Sequence, residues 1–167
     1  MTDTISPKKE SQNIIHEIKN SPASHVKVAV TDMDGILRGK YILKDKFFSA
    51  AESNFGFCNV IFGWDSTDVC YDNSNYTGWH SGYPDAQAKI DLNTYRKIPW
   101  DNNTPFFLGD FEDGQGNPLA ICPRQLLKKT ITKLQATGYT AKMGVEYEWF
   151  NFKETPQSWA EKKYVAP

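Results

Sequence analysis

Cysteine is scarce in this chain. Cys58, Cys70 and Cys122 are the only three, and no two of them stand in a C-x-x-C pair. An odd number at such spacing argues against a disulfide framework and against a thiolate zinc site, and reads as reduced thiols in a cytoplasmic protein. Histidine is equally sparse, with His16, His25 and His80. Long hydrophobic runs are missing. No stretch approaches the roughly 18 apolar residues of a membrane span. The polar start MTDTISPKKESQ has no apolar segment of signal-peptide type. An excess of one charge is missing too: 19 Lys and Arg face 20 Asp and Glu, for a net charge of −1. That balance gives no broad field for nucleic acid or for an anionic membrane, so neither is an expected partner.

What is present suffices for a packed core. The chain has 167 residues, 40% hydrophobic and 14% aromatic, room for one ordinary domain or for a small domain and a piece of another. Ile14, Ile15 and Ile18 predict a short helix over residues 10–19, inside an N-terminal arm of residues 1–24. Val26, Val28 and Val30 alternate with polar neighbours as in a strand. Asp34-Gly35 predicts a two-residue type I′ hairpin turn, and Leu37, Gly39, Tyr41 and Leu43 resume the alternation. Residues 44–53 (KDKFFSAAES) read as a helix with Phe47, Phe48 and Ala51 inward. CNVIFGW reads as a strand, followed by a polar, aromatic-rich loop to Pro84. Residues 88–91, 95–98, 105–111 and 119–122 read as strand pieces. From Pro123 the texture changes to a helix with a Leu126, Leu127, Ile131, Leu134 stripe. Lys128, Lys129 and Lys133 point outward and Gly138 stops the helix. Residues 139–152 read as a strand, and an irregular tail follows Glu154. The order is α+β rather than a repeated βαβ wind.

Four constellations could carry chemistry. In GVEYEWFNF, Glu146 and Glu148 stand two apart, so on a strand both carboxylates leave one face while Val145, Tyr147 and Trp149 leave the other. Paired hard oxygen donors suit Mg²⁺ or Mn²⁺, although alternating Glu is also common on a solvated strand face. VAVTDMDGIL ends a hydrophobic strand in Asp-x-Asp-Gly. That string resembles the nucleophile motif of haloacid dehalogenase-type phosphatases, in which Asp32 would accept the phosphoryl group and Asp34 would be the acid/base, with GDFED as a later acidic motif. Hairpin-turn chemistry is the plainer account. GWDSTDVCYDN packs Asp65, Asp68 and Asp72 into one loop. The aromatics around it, Trp64, Tyr71, Tyr76, Trp79 and Tyr83, fit a subunit interface or a local mini-core.

In order along the chain, these pieces resemble the glutamine synthetase family. VTDMDGILRGKYI is similar to that family's first hairpin, especially in the branch that glutamylates polyamines. GWDSTD sits where the family has its substrate loop, although the usual Asp-Gly-Ser-Ser has become Asp65-Ser66-Thr67-Asp68. YPDAQAKIDLNTYRKIPW is similar to the "D … T … PW" stretch. NPLAICPRQLLKKTITKLQATGYTAKMGVEYEWFNF is similar to the Pro-Arg-x-x-Leu helix followed by Gly-x-Glu-x-Glu-Phe, with Trp149 in place of Phe.

The resemblance implies a β-grasp-like N-terminal domain over residues 25–122. The first helix and strand of a catalytic barrel would follow over residues 123–167. It implies Glu146 and Glu148 as metal ligands for Mg²⁺ or Mn²⁺, ATP as co-substrate, and Asp65 at an amine or ammonium pocket completed by a neighbouring subunit of a homo-oligomeric ring. The implied reaction is ATP-dependent ligation of glutamate to ammonia or an amine through a γ-glutamyl phosphate. The family's other metal-binding Glu and His, its phosphate-binding Arg residues and most of its nucleotide pocket are expected beyond residue 167, so the chain by itself is expected to be inactive. A non-catalytic binding or assembly module on the same fold is the competing reading.

Overall fold

The computed structural model describes residues 7–165, so the first six residues of the expected N-terminal arm over residues 1–24 lie outside the described residues. Helix α1 spans Pro7–Asn20, longer than the isoleucine stripe alone predicts. Its Ile18 is fully buried, with Ile14 and Ile15 packed on the core. Strands β1 (His25–Thr31) and β2 (Leu37–Leu43) form the expected hairpin. Helix α2 (Lys44–Glu52) follows directly, burying Phe47 and Ala50, while Phe48 and Ala51 lie against the core's edge. Next come β3 (Phe55–Cys58), β4 (Asp85–Ile98) and β5 (Thr104–Glu112).

The five strands form one mixed sheet in the order β2-β1-β5-β4-β3. The central pair β1 and β5 is parallel, and every other pairing is antiparallel. Alternation sorts the side chains. Val26, Val28, Val30, Phe107 and Phe111 face α1 and α2 and form the core with Phe47, Phe55, Ile61 and Phe62. Phe107 stacks between Phe47 and Tyr95, with ring centroids 5.0 and 5.3 Å away. Such offset aromatic pairs add to the area they bury. The Tyr95 hydroxyl donates to Glu17 at 2.9 Å and Lys97 pairs with Glu17 at 2.7 Å, tying α1 to β4. Burial, with the Glu17 carboxylate next to it, pushes the Tyr95 phenol up to about 12.

Several expectations need correction. The β1–β2 turn is not type I′: Gly35 has φ +80°, but Asp34 is not among the residues with positive φ. The loop closes instead through Gly35 N–H to Asp32 O at 3.1 Å and Asp32 N–H to Ile36 O at 3.0 Å, the three-residue pattern with glycine in the left-handed position. CNVIFGW leaves the sheet after Cys58 and folds into a 3-10 turn over Asn59–Phe62. This turn drives Ile61 and Phe62 inward while the Asn59 amide reaches Pro84 O at 3.0 Å. The two pieces predicted at 88–91 and 95–98 are one strand interrupted by a bulge between Asp91 and Arg96. Residues 119–122 form a turn rather than a strand, and residues 156–161 of the tail form a helix, α4 (Pro156–Glu161), closed by a capping box of Thr155 and Ser158.

The largest correction concerns residues 139–152, which form no strand and lie exposed. A strand is stabilised by its ladder, and no described strand pairs with this one.

Helix α3 (Pro123–Ala136) ends as expected: Gly138 has φ +85°, its amide reaches Gln135 O at 2.9 Å, and the Tyr139 amide reaches Leu134 O at 3.4 Å, a Schellman closure. Its docking face differs from the expectation. No α3 residue is fully buried, and Leu126 and Leu127 are exposed. The face against the sheet carries Arg124 and Lys128. Arg124 pairs with Asp110 at 2.5 Å and Asp91 at 2.9 Å, and Lys128 with the same two carboxylates at 2.5 and 2.9 Å. Asp110 is only 5% exposed, so its charge must be matched there. Lys128 therefore does not point outward with Lys129 and Lys133.

Burial opposes the charge on Asp91, but the hydrogen bonds from Lys128 and Arg124 outweigh it and hold the carboxyl below its ordinary value of 3.8. Burial likewise works against the Lys128 ammonium, and its carboxylate partners win, raising it above 10.5. A depressed acid stabilises the docked state above its unfolded value and loses that contribution as pH falls through the folded one. A raised base stabilises below its unfolded value and loses that contribution as pH rises through the folded one. Docking of α3 is therefore expected to hold from roughly pH 4 to pH 10 and to loosen outside that window, as read by amide exchange along α3. At neutral pH Arg124→Ala should lower the opening free energy of α3 by about 2 kcal/mol. Unchanged exchange in α3 would mean that other contacts hold the helix.

Candidate functional site

The loop that follows the 3-10 turn doubles back on itself. Tyr71 N–H reaches Gly63 O at 2.7 Å, Trp64 bridges Cys70, and Asp65 N–H reaches Val69 O at 3.0 Å. Asp65 opens the tip of this small hairpin, where a short carboxylate can accept from amides two and four residues on. Its Oδ1 accepts from Thr67 N–H at 2.8 Å, Thr67 Oγ1 at 2.8 Å and Val69 N–H at 3.1 Å. The Val69 amide above all, then the two Thr67 donors, hold the Asp65 carboxyl below its usual range. Asp68 completes the tip in the left-handed region at φ +68°.

One cation joins this loop to the sheet. Arg38, on β2, donates through Nε to Asp32 Oδ2 at 2.7 Å and through Nη2 to the Asp65 carbonyl at 3.1 Å, and it pairs through Nη1 with Asp68. Its guanidinium carbon lies 4.8 Å from the centre of the Trp64 ring, a cation–π contact. Asp32 is fully buried, and its other oxygen accepts from Asp34 N–H at 3.0 Å and Ile36 N–H at 2.8 Å. The Tyr71 phenol is pushed up by burial first and then by the charges of Asp34, Asp65 and Asp32. The end of the sheet at the β1–β2 turn is therefore a carboxylate-rich patch with Arg38 at its centre.

These contacts correct the phosphatase reading. Both oxygens of Asp32 are engaged in closing a hairpin and binding Arg38, and β2 follows at once. No free nucleophile stands there. Asp110 of GDFED holds α3, and Asp113 caps its own turn by accepting from Gln115 N–H at 2.8 Å and Asn117 N–H at 2.9 Å.

The other predicted groups separate. Tyr76 packs edge-on to Phe62 at 5.8 Å, a local mini-core, whereas Trp79 is 89% exposed beside Tyr83. Glu146 and Glu148 lie on the exposed, unpaired segment. Among the described residues no hydrogen bond or ion pair joins them to Asp65, and no group of three His, Cys, Asp or Glu side chains converges as a metal site. As donors the two carboxylates suit a hard divalent cation, which takes six or more oxygens. They could supply two of those ligands.

Sequence reasoning missed two things here: the part played by Arg38, visible only as a residue inside LRGKYIL, and the four-charge clamp under α3. Asp110 between apolar neighbours was the available signal for the second, since a charge in a buried strand demands a partner.

Comparison with known proteins bears on the family and the fold. Residues 120–167 match the family described as glutamine synthetase, catalytic domain. Type-1 glutamine synthetase 2 of Dictyostelium discoideum is 49% identical over 151 residues, covering 90% of this chain and 29% of that protein. Glutamate–isopropylamine ligase of a Pseudomonas species is 34% identical over 144 residues, covering 86% of this chain and 31% of that protein. The chain thus spans about 30% of the length of these curated relatives. Among solved structures, a glutamine synthetase of Plasmodium falciparum superposes with a TM-score of 0.57 at 21% identity, covering 81% of this chain and 24% of that one. At that identity the likeness speaks for the fold alone, a mixed α/β arrangement of glutamine synthetase type. With the sequence matches on both sides of the α3 boundary, the chain belongs to the glutamine synthetase family.

Proposed function

We propose that this chain is part of an ATP-dependent ligase that joins the γ-carboxylate of glutamate to ammonia or an amine. The observation that carries the reading is the 49% identity to a glutamine synthetase across 90% of the chain. In this reading residues 25–122 are a β-grasp-like domain: the β2-β1-β5 core with parallel β1 and β5, and α2 between the hairpins, supports that assignment. Residues 123–167 open the catalytic barrel, and residues 139–152 become a strand only when barrel neighbours pair with them. The complete enzyme would be a cytoplasmic homo-oligomer with active sites between subunits.

The chemistry assigned to this chain's own residues is limited. ATP activates the γ-carboxylate as an acyl phosphate, and the amine displaces phosphate. Asp65 is the acidic group at the amine pocket. Its carboxylate, held below the usual range, attracts the cationic amine; as a proton acceptor it is correspondingly weaker, and it takes the amine's proton only as the amine attacks. Glu146 and Glu148 would hold Mg²⁺ or Mn²⁺, whose charge offsets the repulsion between phosphates and carboxylate. The acceptor is ammonia or a small primary amine. Support for that class comes from relatives of both kinds, one named a glutamine synthetase and one an isopropylamine ligase.

Two measurements test the reading. Mn²⁺ titrated against this chain should bind weakly, because two carboxylates without a third protein ligand give low affinity. Glu148→Ala should remove most of that binding, and equal binding by variant and parent would count against the metal role. The chain alone should release no phosphate from ATP in the presence of glutamate and an amine. Measurable turnover would overturn the division of the active site between these residues and others.

A further inference from the structure

The proposed amine-binding carboxylate, Asp65, sits on a loop tip outside the sheet, and a loop tip is ordinarily the least constrained part of a fold. We infer that Arg38 is the positioning residue that holds Asp65 in place. This role deepens the functional reading above and rests on it.

Asp32 is fully buried, and two amides of its own turn fix Oδ1. Its remaining oxygen takes Arg38 Nε at 2.7 Å, so the guanidinium plane is set from the buried base of the hairpin turn. From that plane the two terminal nitrogens reach the loop: Nη2 bonds the Asp65 carbonyl at 3.1 Å, and Nη1 pairs with Asp68. The flat face meets Trp64, the residue before Asp65, at 4.8 Å. Arg38 thus grips the main chain of Asp65 and both sides of it, and it makes no hydrogen bond to the Asp65 carboxylate. Oδ1 of that carboxylate is taken by Thr67 and Val69. Oδ2 has no hydrogen-bond partner among the described residues and is the oxygen left to accept from an ammonium group. A planar fork with five donors can make these contacts together. The point charge of lysine cannot.

Amide exchange by NMR at Thr67 and Val69, in the full chain, reads the role directly, because both amides are bonded to Asp65 Oδ1. Arg38→Lys and Arg38→Ala should each raise exchange at these two amides about ten- to a hundredfold, as expected for losing charge-assisted hydrogen bonds. Exchange in the β5 amides of Phe107 and Phe111 should stay unchanged. Asp68→Asn should give a smaller rise. Added guanidinium should restore part of the protection in Arg38→Ala, which a general loss of stability would not allow. Parent-like exchange in Arg38→Lys, or no rescue of Arg38→Ala, would overturn the inference. Titration with isopropylammonium separates the two layers. Shifts at Thr67 and Val69 that vanish in Asp65→Asn and weaken in Arg38→Lys support both. No shift in the parent chain would sink the amine role of Asp65 and leave the exchange result to decide the role of Arg38.

Discussion

A carboxylate removed from water must be met by a full set of donors before the chain can close over it. That constraint organises both ends of this sheet. At the β1–β2 turn, Asp32 is matched by two backbone amides and Arg38, and the match draws in the loop that carries Asp65. Toward the other edge, Asp91 and Asp110 are matched by Arg124 and Lys128, and the match docks a helix that buries no side chain completely. The hydrophobic core between them, with Phe107 in it, packs the sheet against α1 and α2. The networks decide where the loop that carries Asp65 and helix α3 sit on that sheet.

The two networks differ in what they hold. The Arg38 network grips main chain at 3.1 Å as well as side chains, so it fixes the direction of a single residue. The α3 clamp is side chain to side chain and leaves Leu126 and Leu127 exposed. Leu126 and Leu127, with Met143, Val145, Tyr147 and Trp149 beyond them, present apolar surface to solvent in this chain. Such surface fits a region whose remaining partners lie elsewhere in the proposed enzyme.

Much of the fold was legible in the residues. The alternation of Val26, Val28 and Val30 places β1 correctly, the phenylalanines of PFFLGDF place β5, and Pro123 with Gly138 bounds α3 to within two residues of its end. The turn at Asp34-Gly35 was legible as a turn but not in type. A favourable dipeptide states a local preference, and here the Asp32 side chain, by taking the Asp34 and Ile36 amides, selected the three-residue loop. The run CNVIFGW has strand composition throughout, yet a strand and a 3-10 turn divide it, since apolarity reports burial and not backbone geometry.

By itself the sequence determined the alternating and helical periods, the stops at glycine and proline, and the family. These are properties of neighbouring residues and of their order along the chain. Only the tertiary structure decided which charges would meet. Asp32 and Arg38 stand six residues apart but Arg38 and Asp68 stand thirty apart, and Asp91 lies thirty-seven residues from Lys128. Nothing in local spacing pairs such groups. The sheet order does, by laying distant strands side by side until a buried charge meets its partners. The same reason explains the acidic segment at Glu146 and Glu148: its period of two was readable, but a strand exists only where another strand lies beside it.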